Sequence, residues 1–134
     1  MHLGEADGLT WAAYEAHYGR PFDLTREPDR PFAPGAESLS EVLSRAESTL
    51  EGIVREHPGE TVAVVTHAGV IVASMLRLLA IPAGARRAYL DPGYTSVTCW
   101  QRTGDVWELA TFNDTSHLGG PPGHLAWPPL ADPP

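Results

Sequence analysis

Apolar and polar positions along the chain change period several times, and each change marks an element. Between Ser38 and His57, Leu39, Val42, Leu43, Ala46, Leu50, Ile53 and Val54 recur at intervals of three and four, which defines one helical face. Ser38 stands three residues before Glu41, a capping box, and Pro58-Gly59 closes the other end. This spacing predicts a long amphipathic helix. Its opposite face, with Glu41, Arg45, Glu51 and Arg55, reads as solvated and without function. A shorter helix is expected over 9–19, where Leu9, Ala12, Ala13 and Tyr14 keep helical spacing, Thr10 serves as N-cap and Gly19 as stop. Between the two, residues 20–36 hold four prolines and several charges, so they read as an unusually long surface loop.

The period changes again at "TVAVVTH", residues 61–67, a continuous apolar run between Gly59 and His67. A strand covered on both faces in a parallel sheet has this pattern. "AGVIVASMLRLLA" follows as a helix ending at Ile81-Pro82, so strand, tight turn and helix make half of a β-α-β unit and place the chain in the α/β class. "TSVTCWQR" and "VWELATF" are alternating runs that flank the turn "TGD" and predict an antiparallel hairpin. The one cysteine, Cys99, lies in that run; it cannot form an internal disulfide and is expected to be a buried structural thiol. Residues 119–134 are Pro-rich and read as an extended tail, from which Trp127 could dock on the body. No internal repeat is visible.

Composition narrows the classes. With 134 residues the chain fits one domain, large enough to bury roughly two thirds of its unfolded surface. A formal net charge of -8 disfavours nucleic acid and anionic membrane as partners, since both require clustered Lys and Arg. Any bound phosphate must then be held by a local positive feature. The start, "MHLGEADGLT", has neither a basic n-region nor an apolar h-region, and no window approaches 18 apolar residues, so the cytoplasm is the default compartment.

His67 marks the candidate chemistry. In open α/β sheets ligands collect at the carboxyl ends of strands, where a following helix points its free N–H groups and positive dipole end. The imidazole there can donate to an anion, and Ala68 and Gly69 let the backbone approach closely. The alternative is a histidine that merely caps the strand, with Gly69 present for helix packing; position does not separate the two.

Further motifs do. "VAVVTHAGVIVASML" resembles the second-histidine motif of the histidine phosphatase superfamily, also called phosphoglycerate mutase-like. "LGEADGLTWAAYE" is similar to its G-x-x-x-G-x-T segment, "PGAESLSEVLSRA" to its P-G-G-E-S entry into a long helix, and "YTSVTCW" and "FNDTSHL" to its closing strands and terminal N-D-x-S-H-L run. Four motifs in order over residues 2–118 identify the chain as a member. The resemblance implies a three-layer α/β/α sandwich with a mostly parallel sheet and one antiparallel strand. It also implies phosphomonoester chemistry through a phosphohistidine on a first histidine in R-H-G, clamped by an arginine and the second histidine, with a glutamate as acid and no metal or organic cofactor.

No R-H-G triplet occurs in these residues, and of the six histidines only His67 has a strand-to-helix setting. With Gly4 and Gly8 as the glycine pair, the family's acid would fall one position before Met1. The fold is therefore expected to be incomplete, with its N-terminal strands absent: residues 1–118 form a partial domain that keeps His67 as its catalytic and phosphate-binding residue, together with Ala68 and Gly69. Glu37, at the P-G-G-E-S position, and Glu5 are candidates for the pocket rim, both more often loop carboxylates than acids. Arg86 and Arg87 read as solvent-facing loop arginines, and His117 with Asp114 is too sparse for a metal site. Ala36, Ala68 and Val72 depart from the family pattern near the pocket, which bears on substrate preference more than on fold. An interior sheet edge left open invites a partner. The expectation is a fragment or misassigned start of a full phosphatase, inactive alone and acting on a phosphorylated small molecule, or a product that completes its sheet as a homodimer. A non-catalytic phosphate-binding module and a folding remnant are the remaining readings.

Overall fold

The structure, a computed structural model, describes residues 1–85 and 90–119 and divides into two compact units, Met1–Tyr89 and Leu90–Pro134. The first unit opens with a single 3-10 turn at Gly4–Ala6 and continues through helix α1 (Trp11–Tyr18), a long loop, helix α2 (Leu39–Glu56) and helix α3 (Ala68–Leu78). Local chemistry explains each helix boundary. Thr10 Oγ1 accepts a hydrogen bond from the Ala13 amide at 3.2 Å, and Gly19, at φ 82°, ends α1 in a conformation that a side chain would resist. Ser38 caps α2 through the expected reciprocal box: its hydroxyl accepts from the Glu41 amide at 3.2 Å, while the Glu41 carboxylate accepts from the Ser38 amide at 2.8 Å.

Helix α3 stops earlier than its sequence suggests. The Ile81 amide donates to the Leu76 carbonyl at 2.8 Å and the Ala80 amide to the Arg77 carbonyl at 3.1 Å, the paired bonds of a Schellman stop. Ala80 takes the left-handed position at φ 54° that glycine usually fills. Ile81 then folds back onto the helical core beside Leu76.

Two clusters hold this unit. Leu43 and Ala46 of α2 meet Ala73 and Leu76 of α3, flanked by Leu39, Val70, Val72 and Ile81. Burying each leucine contributes roughly 1.5–3 kcal/mol. Arg77 reinforces the pair, donating from Nη2 to Ser44 Oγ at 2.6 Å and approaching Glu47 at 3.4 Å. The second cluster gathers Ala6, Tyr14 and Ala33, with Phe32 stacked 4.2 Å from Tyr14. Gly4, at φ 57°, lies directly on the turn Pro34 to Ala36; a Cβ there would collide with backbone atoms of all three residues. The Glu5 amide donates to the Pro34 carbonyl at 3.0 Å across the same contact.

Residues 61–67 are the main departure from expectation. They adopt no regular secondary structure, are exposed and pair with no neighbouring strand among the described residues, and Val65 is fully exposed. A strand needs a partner for its ladder, and a β-α-β half-unit supplies none within itself. The same absence explains α2: Val42, Leu43 and Ala46 are buried, whereas Leu50, Ile53 and Val54 remain only half-buried.

The second unit holds the sheet that the described residues do form, two antiparallel strands β1 (Val97–Thr103) and β2 (Val106–Asp114). Gly104, at φ 60°, begins the two-residue turn between paired Thr103 and Val106. Alternation puts Trp100 and Trp107 on the half-buried face, with their rings edge-to-face at 6.4 Å. Cys99 is exposed, contrary to the expected buried thiol, because it falls on the opposite face of the pleat. Asn113, at φ 57°, accepts from the Gly93 amide at 2.7 Å and anchors the strand entry. The tail and Trp127 lie outside the described residues beyond Gly119. No helix among the described residues is long and apolar enough to cross a membrane.

Two outcomes follow. Ala80→Gly should stabilise the protein by about 1 kcal/mol, because glycine occupies the left-handed position without steric penalty; urea unfolding reads the difference. The amides of residues 62–66 should exchange with deuterium in the earliest labelling interval while those of Ala46 and Ala73 stay protected. Protection of both groups alike would mean that the extended segment has a strand partner in solution.

Candidate functional site

His67 is the N-cap of α3, with φ -93° and ψ 155°, so the chain enters the helix from an extended direction. Its carbonyl accepts from the Val70 amide at 2.9 Å, which starts the first turn and leaves the Ala68 and Gly69 N–H groups outside the helical ladder. The imidazole makes no capping bond to these groups, and His67 and Gly69 are exposed while Ala68 is half-buried. A Cβ built on Gly69 would meet nothing within 4 Å, so crowding by the described residues is not what calls for glycine there. The three residues named from sequence thus stand together at one helix end, open to solvent rather than enclosed. A partial positive charge and two N–H groups outside the ladder, beside an imidazole with no hydrogen bond among the described residues, suit an oxyanion.

Glu37 belongs to a different piece of chemistry. Its carboxylate accepts from Arg45 Nε at 2.7 Å and Nη2 at 2.9 Å, a two-pronged pair, and from the His2 amide at 2.6 Å. The Glu37 amide in turn donates to the His2 carbonyl at 2.9 Å. The Arg45 guanidinium, with the His2 amide second, holds the Glu37 carboxyl down to about 2, against an ordinary 4.5. A carboxylate so held stays ionised and ties the first residues of the chain to the start of α2. Arg45, read from sequence as part of a solvated face, is its partner; an arginine two turns inside a helix whose entry carries an acid was the available signal.

Glu5 is exposed on the 3-10 turn and hydrogen-bonds the Tyr18 hydroxyl; burial first, then the Glu5 charge, raise the Tyr18 phenol above its usual range. In the second unit, Asp114 Oδ1 accepts from the Ser116 amide at 2.8 Å, and this bond lowers its carboxyl below the usual value. Asp114 thus makes an Asx-type contact that leads into the closing 3-10 turn, Ser116–Leu118, whose N-cap is Thr115. No group of three or more His, Cys, Asp or Glu among the described residues could hold a metal ion. Arg86 and Arg87 lie outside the described residues.

The family model for the histidine phosphatase superfamily (branch 1) matches residues 1–115. The chain belongs to that superfamily. An α/β fold accompanies membership, and the helices and hairpin described above are consistent with part of one. Among curated proteins, the chain is similar to the metal-independent phosphoserine phosphatase of Arabidopsis thaliana, at 31% identity over 125 residues covering 87% of this chain and 48% of that protein. It is also similar to phosphoglycerate mutase-like protein 4 of the same plant, at 34% identity over 123 residues covering 87% and 50%. The histidine phosphatase chain therefore spans about half the length of the curated relatives it matches. No solved structure matches it.

Glu37→Gln should lower stability by about 1 kcal/mol at pH 7, since it removes the charge that Arg45 meets. Because the folded carboxyl is held near 2 and the unfolded one titrates near 4.5, the wild-type margin is full above 4.5 and fades as pH falls through 2. Urea unfolding at neutral and acid pH measures this; a margin equal at every pH would show that the pair does not stabilise the fold.

Proposed function

We propose that this chain supplies the second-histidine part of a phosphomonoester hydrolase. His67 binds the phosphoryl group at the amino end of α3, with the Ala68 and Gly69 amides as further donors. The observation that carries this is the unengaged His67 imidazole beside two N–H groups outside the helical ladder, in a chain of this superfamily. In this reading residues 1–118 are the histidine phosphatase portion and 119–134 a tail. Residues 61–67 become a strand of a mostly parallel sheet inside a three-layer α/β/α sandwich once neighbouring strands are present. The exposed valines of that segment and the half-buried end of α2 support it, because both are surfaces that a sheet would cover.

The nucleophilic histidine, the first arginine clamp and the acid then come from outside these 134 residues, which contain no R-H-G triplet. Glu37 is committed to Arg45, so its part at a pocket rim is to fix the loop that borders the site. Glu5 remains a second carboxylate on that rim. The substrate is a phosphorylated small molecule, hydrolysed in the cytoplasm without metal or organic cofactor. The 134-residue chain by itself is inactive.

A second reading has its own observation. The unpaired, exposed run at 61–67 suits a non-catalytic phosphate-binding module that completes its sheet with a second copy of the chain.

The chain should show negligible hydrolysis of p-nitrophenyl phosphate and should bind orthovanadate in calorimetry, with binding lost in His67→Ala. A robust rate abolished by that substitution would sink the inactive reading, and vanadate bound equally by both proteins would sink the role given to His67. Sedimentation distinguishes the second reading, which requires a dimer.

A further inference from the structure

Without any contribution from His67, α1 and the loop that follows line an open hollow of about 300 Å³. Tyr14, Tyr18, Phe22 and Phe32 form walls, and the only charged lining residues are Arg20 and Arg30. The chain carries 17 acidic against 9 basic residues, yet no carboxylate lines this hollow. Such a local reversal of sign is what an anion requires of a protein whose overall field repels it.

The back wall is fixed before any ligand arrives. Tyr14 is buried, donates its hydroxyl to the Phe32 carbonyl at 2.8 Å, and stacks on the Phe32 ring at an interplanar angle of 13°. Arg30 lies with its guanidinium 4.1 Å above the Phe22 ring, which orients its planar fork. Two carboxylates reach these walls from outside: Glu27 accepts from Arg30 Nη1 at 3.1 Å on the solvent side, and Glu5 engages the Tyr18 hydroxyl. The Nε and Nη2 donors of Arg30 take no part in the Glu27 contact. Arg20 makes no ion pair among the described residues.

We infer that this concavity binds a small organic oxyanion with a planar apolar body. The head group takes the donors of Arg20 and Arg30, and the body lies against Phe22 and Phe32. Guanidinium forks match phosphonate, phosphate and carboxylate oxygens, and a hollow of this size admits one ring. The site shares no residue with the His67 reading and stands independently of it.

Phenylphosphonate, which lacks a hydrolysable ester, is the probe. The reporter is the Trp11 indole N–H resonance, since that ring stands edge-on to Tyr14 at 5.8 Å and to Phe32 at 5.9 Å. Titration of the 134-residue chain should shift this resonance saturably. Arg20→Gln, at a side chain with no ion pair among the described residues, should weaken the binding about tenfold with an unchanged circular dichroism spectrum, and Arg30→Gln at least as much. His67→Ala should leave the Trp11 titration unchanged, so a failure of the His67 reading and a failure of this one register separately. Inorganic phosphate should bind more weakly than phenylphosphonate. An unmoved Trp11 resonance, an Arg20→Gln titration equal to the wild type, loss of the shift in His67→Ala, or equal affinity for inorganic phosphate would each overturn the inference.

Discussion

Ala46 and Ala73 are the small residues through which α2 and α3 approach, and what the first unit can do rests on that contact. A methyl group on each side lets Leu43 and Leu76 close over the seam, and Arg77 fastens the rim to Ser44 and Glu47. With α3 held on α2, its amino end points in a fixed direction, and His67 with it. The imidazole contributes nothing to this packing. It is placed by a helix whose stability comes from its other face, which is why the site can stay unengaged without cost to the fold.

The two extended stretches behave differently for one reason. Residues 97–114 find their hydrogen-bond partners within the same short stretch of chain, across a turn that Gly104 makes easy, so the hairpin forms from its own residues. Residues 61–67 are at least as apolar, yet they meet no ladder partner among the described residues. Apolar character alone does not make a strand; a ladder requires two.

Positive charge is scarce in this protein, and its distribution is selective. Arg45 is committed to Glu37, Arg77 to Glu47, and Arg26 to Asp23. The Glu37 pair ties loop to helix and also anchors His2, the Glu47 pair ties helix to helix, and the Asp23 pair closes a turn within the 20–36 loop. Arg20 has no such duty among the described residues, and Arg30 only a solvent-side one.

Sequence by itself determined the features that depend on neighbours in the chain: the Ser38 box, the Thr10 cap, the Gly19 stop, the loop at 20–36, the hairpin, and the family through its ordered motifs. It also placed His67, Ala68 and Gly69 at one helix start, because the apolar period that opens α3 is local. Tertiary structure decided the rest. Period gave Arg45 to solvent, but the carboxylate it meets lies eight residues away across the helix entry; Cys99 was expected to be buried in its strand, whereas the half-buried face of the hairpin is the one that holds the tryptophan pair. Whether 61–67 is a strand depends on groups far along the chain or beyond it, and no local pattern encodes their presence. Pairing, burial and long-range charge are properties of what comes near in space, and spacing along the chain fixes only what is near in sequence.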